Sequence, residues 1–108
     1  MTVSHAAKSM AEKDLRKAVM EMAKAFGWEA YHQPDSRQMM GDPGFPDLCL
    51  MRAGDPPRLV FAELKTMTGR LSAGQVKWLG TLSDLQESET YIWRPTDWFD
   101  GTIEEVLR

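Results

Sequence analysis

The amino-acid sequence predicts a small α/β protein in which one β-sheet lies between helices. Apolar residues recur at helical spacing through residues 10–26, whereas residues 45–51 ("FPDLCLM") and 60–66 ("VFAELKT") are short apolar runs with the length of buried strands. A chain of 108 residues is long enough for one hydrophobic core and too short for two. Residues 1–108 are therefore predicted to form a single domain.

The N-terminal part of the chain predicts a helix, a strand and a loop. Residues 10–26 form the amphipathic helix, and Gly27 follows where a C-terminal cap belongs. The apolar stripe of this helix consists of Leu15, Val19, Met22, Ala23 and Phe26. Residues 28–32 ("WEAYH") are predicted as a first strand, and residues 33–44, which contain Pro, Asp and Gly, as a loop.

The two apolar runs are joined by "RAGDPP", which has the turn residues of a hairpin-like connection. The stretch "LVFAEL" is apolar at nearly every position, as expected for a central strand covered on both faces. Residues 72–86 predict a second helix, in which Ser72 and Gln75 have the spacing of a capping box.

The C-terminal part predicts one more strand and a short helix. The strand, residues 90–94 ("TYIWR"), is ended by Pro95. The helix, residues 102–108, is predicted to begin with a second capping box formed by Thr102 and Glu105.

Composition excludes some classes of function. The net charge of −3 argues weakly against a nucleic-acid partner, but seven acidic and only two basic residues follow from Asp84 onward, so the preceding residues have a net charge of +2. Cys49 is the only cysteine, which excludes an internal disulfide and a Cys-rich zinc site, and we predict that it lies in the core. The chain contains neither a membrane-spanning apolar run nor a signal-peptide pattern, so we expect a soluble, intracellular protein.

Three charged residues lie in or beside the two apolar runs: Asp47, Glu63 and Lys65. Side chains alternate along a strand, so Glu63 and Lys65 should emerge on the same face, and a hairpin would bring Asp47 close to them. Crowded carboxylates repel unless a cation neutralises them, and a hard divalent ion such as Mg²⁺ or Mn²⁺ suits oxygen ligands. The pattern favours a metal site.

Other polar residues permit more than one interpretation. Glu12 lies on the apolar stripe of the first helix, where it either faces inward or simply favours the helix N-terminus. The capping box alone explains Gln75. His5 and His32 have no partner at metal-ligand spacing.

The segments "GFPDLCL", "AELKT" and "GRLSAGQVKWLGTL" resemble the VRR-NUC domain of the PD-(D/E)XK nuclease superfamily. The residues in family order are Gly44, Pro46, Asp47, Glu63, Lys65, Arg70, Ser72 and Gln75. The resemblance extends from Glu12 to Tyr91 and implies a restriction-endonuclease-like core, with a central mixed β-sheet flanked by helices.

The resemblance also implies Mg²⁺- or Mn²⁺-dependent hydrolysis of DNA phosphodiester bonds. Asp47, Glu63 and the Leu64 backbone carbonyl would bind the metal, with Glu12 binding it directly or through water. Lys65 would position or activate the attacking water, and Gln75 would order the site or touch the phosphate. The resemblance also implies phosphate contacts for Arg37, Arg70 and Lys77, each of which is equally explained as a solvated surface charge.

Small stand-alone members of this family, typical of bacteria and their viruses, are associated with homodimers that cut branched DNA such as four-way (Holliday) junctions. The resemblance thus implies a DNA partner, a role in DNA repair and a cytoplasmic location in a bacterial or phage-infected cell. The aromatic segment around Trp93, Trp98 and Phe99 is a candidate dimer face, although such residues are more often core in a small chain.

Two alternatives remain open at the level of sequence. One is a catalytically silent nuclease fold that binds DNA or protein, which the intact set of Asp47, Glu63 and Lys65 disfavours. The other is a nuclease with the same metal centre that acts on flaps, ends or RNA, because these substrates share the backbone chemistry.

Overall fold

A computed structural model describes residues 3–33 and 40–108. Its helices and strands, in chain order, are α1 (His5–Ser9), α2 (Glu12–Ala25), β1 (Glu29–His32), β2 (Leu48–Arg52), β3 (Arg58–Leu64), α3 (Ala73–Ser83), β4 (Glu89–Trp93), α4 (Pro95–Phe99) and α5 (Thr102–Leu107). No helix among these residues is long and apolar enough to cross a membrane.

The four strands form one mixed sheet in the order β1-β2-β3-β4. The β1–β2 and β2–β3 pairs are antiparallel, and the β3–β4 pair is parallel. Residues 60–64 of β3 are all buried, because neighbouring strands cover both edges of β3 and its two faces lie under packed side chains. The predicted α/β class, with a central mixed sheet flanked by helices, is confirmed.

Helix α2 packs its apolar stripe against the sheet, with Leu15, Val19 and Ala23 fully buried. Gly27 has a φ of 87°, and hydrogen bonds from Gly27 N to Lys24 O and from Trp28 N to Ala23 O close the helix. A left-handed residue with these two bonds is a Schellman ending, so the predicted cap at Gly27 is confirmed.

Helix α3 begins with the predicted capping box. The Gln75 backbone N–H donates to Ser72 Oγ at 3.1 Å, and the Ser72 N–H donates to the Gln75 side-chain oxygen at 2.8 Å. Leu79 and Leu82 are then buried, and the helix packs against β4 of the sheet. The cap therefore fixes the residue at which α3 begins.

Several element boundaries differ from the predictions. The first helix begins at Glu12 rather than residue 10, because Met10 and Ala11 are extended between it and the unpredicted α1. Residues 45–47 precede β2 rather than belonging to it. The short α4 was not predicted either, and it begins at Pro95, directly after β4.

The predicted capping box at Thr102 and Glu105 is wrong. Gly101 is the N-cap of α5, with a φ of 86°, so Thr102 is already the first helical residue. The Thr102 N–H instead donates to Asp100 Oδ1 at 2.9 Å. Asp100 therefore satisfies a free helical donor that the capping box was expected to satisfy.

The C-terminal aromatic residues divide between core and surface. Trp93 is buried and Trp98 packs against the core, whereas Phe99 is about half exposed. A dimer face that includes Trp93 is therefore wrong, because that ring is already covered within one chain.

Candidate metal centre

Two carboxylates meet at one end of the β2–β3 pair. Asp47 directly precedes β2, and Glu63 is the penultimate residue of β3. Because the antiparallel register pairs Leu48 with Ala62, Asp47 lies beside the end of β3, where its Oδ2 accepts a hydrogen bond from the Leu64 N–H at 2.9 Å. The hairpin thus brings together the two acids that the sequence separates by sixteen positions.

Glu12 joins this pair from the first residue of α2. One carboxylate oxygen from each of Glu12, Asp47 and Glu63 lies within 4.8 Å of those of the other two. Of the two interpretations of Glu12, the structure favours the inward one. Its position in the first helical turn is compatible with both.

Glu63 is the innermost of the three acids and is 1% exposed. Its Oε1 accepts a hydrogen bond from Gln75 Nε2 at 2.9 Å and lies 3.8 Å from Lys65 Nζ. Its Oε2 is buried and has no hydrogen-bond partner among the described residues. Burying a carboxylate oxygen without a partner is costly, so this atom needs a proton or a cation.

The protonation of Glu63 reflects this environment. Burial is the largest cause of a rise in the pKa of Glu63 to about 8. The charges of Asp47 and Glu12 add to this rise, while the charge of Lys65 acts in the opposite direction. A carboxyl group whose pKa lies near 8 holds its proton at neutral pH, so Glu63 is protonated in the metal-free protein. A divalent cation could replace that proton.

Lys65 lies where the alternation of β3 predicts, beside Glu63. Its backbone N–H donates to Trp93 O at 3.0 Å, which continues the β3–β4 pairing by one residue and fixes the direction of the side chain. The lysine side chain is only 13% exposed. Its ammonium group is therefore held at the carboxylates rather than spread into solvent.

Gln75 combines the two roles that the sequence left as alternatives. Its side-chain oxygen accepts the hydrogen bond of the capping box, while its Nε2 donates to Glu63. The cap therefore aims the amide at the carboxylate, and the start of α3 is connected directly to the acidic site.

The other predicted residues lie apart from this cluster or outside the described residues. Arg70 and Lys77 are exposed, and Arg37 lies outside the described residues. His5 and His32 are exposed, and within residues 3–33 and 40–108 the acidic triad is the group with metal-ligand spacing. Cys49 is half-buried and does not belong to the buried core cluster, so the prediction that it lies in the core is wrong; its partial burial raises the pKa of its thiol.

The sequence did not reveal the contacts by which Arg94 and Gly44 support the site. Arg94 donates to the carbonyls of Thr66 and Gly69 at 2.6 and 2.8 Å, and so holds the loop that follows Lys65. Gly44 touches the first turn of α3. The turn-forming "GDPG" was a visible signal for a special backbone at Gly44, but nothing local indicates which element it meets.

The fold is similar to that of a solved structure described as a "VRR_NUC domain protein". The similarity covers 91% of this chain and 88% of the other, with a TM-score of 0.64 and 17% sequence identity. No family model and no curated protein matches the chain. The predicted resemblance to a VRR-NUC domain is thus confirmed at the level of the fold.

Proposed function

We propose that this protein is a divalent-metal-dependent endodeoxyribonuclease. The observation that supports the proposal is the acidic triad, in which three carboxylates converge within 4.8 Å at the end of a buried strand of a VRR-NUC-like fold. A purely structural role would not require two further acids beside one buried carboxylate, because their repulsion destabilises the metal-free fold.

The donor set fits Mg²⁺ or Mn²⁺. Asp47, Glu63 and Glu12 supply carboxylate oxygens, the backbone carbonyl of Leu64 is a further candidate ligand, and Glu63 Oε2 is a buried acceptor with no partner among the residues described. These are hard oxygen ligands, which such ions prefer over softer ones. When bound, the ion would polarise the phosphodiester and lower the pKa of a water molecule.

The remaining polar groups would orient the reactants. Lys65, held beside Glu63, is placed to hydrogen-bond the attacking water or a phosphate oxygen. Gln75 fixes Glu63 through its amide and so keeps the carboxylate in one orientation. We assign Lys65 an orienting role, because its ammonium group is held 3.8 Å from Glu63 Oε1 on a side chain that is only 13% exposed.

DNA is the proposed substrate, with a preference for branched structures such as four-way junctions. A homodimer would place two metal centres about a two-fold axis, which matches the symmetry of a junction that is cut on opposed strands. Arg70 and Lys77 are exposed and are proposed to contact phosphates, together with Arg37. The proposed location is the cytoplasm of a bacterial or phage-infected cell, where such DNA is found.

The decisive experiment is cleavage of labelled linear, flap and four-way DNA, and of a matched RNA, with and without Mn²⁺. We expect metal-dependent cuts that are fastest on the junction and absent in Glu63→Gln, with a dimer seen by light scattering. Binding of DNA without cleavage in any metal would support a silent nuclease fold instead. A monomer that nicks one strand would contradict the dimeric resolvase and leave the metal nuclease intact.

A further inference from the structure

The segment that precedes Asp47 lies against the first turn of α3 with almost no space between the two backbones. We define residues 41–47 as the Asp47 arm. A Cβ built on Gly44 would lie 2.3 Å from the Gly74 carbonyl carbon and 2.5 Å from Gln75 N. Conversely, a Cβ on Gly74 would lie 2.6 Å from Pro43 O. The two backbones can approach this closely because both positions are glycine.

Aromatic contacts hold the arm to α3 on either side of this point. Trp78 Nε1 of α3 donates to Asp42 O at 3.2 Å. Phe45 packs edge-on against Trp78 and Phe61, with ring centroids 5.1 and 5.7 Å apart. The position of the arm relative to the helix is therefore set by contacts before, at and after Gly44.

The two sides of this contact each hold one carboxylate of the proposed metal centre. The arm ends in Asp47, whose orientation is fixed by the Leu64 N–H. The helix holds Glu63 through Gln75, the residue next to Gly74. A change in the spacing at Gly44 would thus move Asp47 relative to Glu63.

We propose that Gly44 is a positioning residue, which by packing against Gly74 sets the separation of Asp47 and Glu63 and hence the affinity for the divalent cation. The inference rests on the proposed metal-dependent function. It assigns that affinity partly to two residues that have no ligand atom of their own.

The first test compares Gly44→Ala with Gly41→Ala. The two glycines have φ values of 104° and 112°, so both substitutions introduce similar backbone strain, but a Cβ on Gly41 would meet no atom of the described residues within 4 Å. We expect the Mn²⁺ dissociation constant, from calorimetry on protein shown to be folded by circular dichroism, to rise about 10- to 100-fold in Gly44→Ala. It should stay at the wild-type value in Gly41→Ala, and high Mn²⁺ should restore cleavage in Gly44→Ala.

The second test uses a pair within α3 and applies even if Gly44→Ala does not fold. Gly74→Ala adds a methyl group against the arm, whereas a Cβ on Gly80 would have no close neighbour among the described side chains and loops. Alanine favours a helix at both positions, so a stability change from helix propensity is common to the pair. Only Gly74→Ala should weaken Mn²⁺ binding.

The outcomes separate this inference from the function on which it rests. Equal Mn²⁺ affinities within both pairs would overturn the positioning role and leave the metal centre standing. A wild-type protein that binds no Mn²⁺ would overturn the metal centre itself, and the positioning role with it.

Discussion

The β2–β3 hairpin has a charged cluster at each end, and the two clusters satisfy their charges in opposite ways. At one end, Asp47 and Glu63 place like charges together around a buried oxygen with no partner among the described residues. At the other end, Arg52 and Arg58 are paired in register, but each guanidinium has acceptors. The same two strands thus support one cluster of like charges without matched partners, the unbalanced cluster, and one cluster in which the charges have partners, the balanced cluster.

The balanced cluster is built around Arg58. Its guanidinium donates to both carboxylate oxygens of Glu89 at 2.8 and 2.6 Å and to Val106 O at 2.8 Å. Tyr91 also donates to Glu89, at 2.7 Å. Bidentate, charge-assisted bonds of this kind leave few donors or acceptors unsatisfied.

Arg52 completes this end of the sheet. It donates to Leu107 O at 2.9 Å and to Phe26 O at 3.3 Å, and both arginines lie over the ring of Trp28, 4.7 and 5.0 Å from its centroid. The arginine cluster therefore ties the C-terminal helix and the end of α2 to the hairpin.

The pKa shifts express the difference. The hydrogen bonds from Arg58 lower the pKa of Glu89, whereas burial and the charge of Asp47 raise that of Glu63 to about 8. A charge with matched partners contributes to folding, and a buried charge without them is a candidate for function. The predictions below test this contrast.

The largest expected effect follows from Glu63→Gln. Glutamine preserves the shape but removes the charge of a proposed metal ligand, so we expect cleavage of junction DNA to fall by about a thousandfold or more, an effect of the size expected when a catalytic charge is lost. Initial rates at saturating Mn²⁺ provide the measurement.

Glu89→Gln is the matched change in the arginine cluster. It should leave the cleavage rate unchanged and lower the free energy of unfolding by about 1–3 kcal/mol, because Arg58 loses a charged partner. A comparable loss of activity in both variants would mean that the two clusters do not differ in role.

The next prediction concerns stability. Arg58→Met should reduce the free energy of unfolding by about 2 kcal/mol, because it leaves Glu89 and Val106 O without their donor in a partly buried setting. Arg108→Met provides the control, since the Arg108–Glu104 pair is largely exposed and should contribute less than about 1 kcal/mol. Urea denaturation of both variants would test the difference, and equal losses would contradict it.

The pH dependence of metal binding tests the protonation of Glu63. Below a pKa of about 8 the ion must displace a proton from Glu63, so the Mn²⁺ dissociation constant should fall about tenfold per pH unit from pH 6 to 7.5 and level off above pH 8. Calorimetry in buffers of different ionisation enthalpy should detect the released proton. A flat profile would show that Glu63 is already ionised without metal.

The free energy of unfolding of the metal-free protein should fall as the pH rises. The pKa of Glu63 is higher in the folded chain than its ordinary value of 4.5. The protonated Glu63 therefore contributes fully to the free energy of unfolding below about pH 4.5, and this contribution is lost as the pH rises through about 8. Glu63→Gln should remove this slope, and Mn²⁺ should flatten it in the wild type. A slope that persists in the variant would have to originate in other groups.

Local patterns in the sequence were sufficient to predict α2, the β2–β3 pair and the start of α3. Their periodicity, turn residues and caps involve neighbours in the chain, and once the hairpin is assumed, Asp47 and Glu63 must be close. Helices α1 and α4 span five residues each, too few to show a period.

The rest depends on contacts between distant segments. Nothing near Gly44 or Gly74 indicates that they touch, and the partnership of Arg58 with Glu89 exists only because β4 lies parallel to β3. The spacing of Ser72 and Gln75 predicted the capping box, but it could not show that the same Gln75 side chain also reaches Glu63, which is distant in the sequence.

The smallest expected effect separates these two contacts of Gln75. In Gln75→Glu, a carboxylate oxygen can still accept from the Ser72 N–H, so the capping box should survive and the unfolding free energy at acidic pH should stay within about 0.5 kcal/mol of wild type. The donor to Glu63 Oε1 is replaced by a fourth acid, which should reduce cleavage about tenfold and raise the pKa of Glu63 further.

Gln75→Ala, which loses both contacts, should reduce stability as well as activity. Rates and urea denaturation measured on both variants would reveal the pattern, and wild-type cleavage by Gln75→Glu would show that the amide only caps the helix.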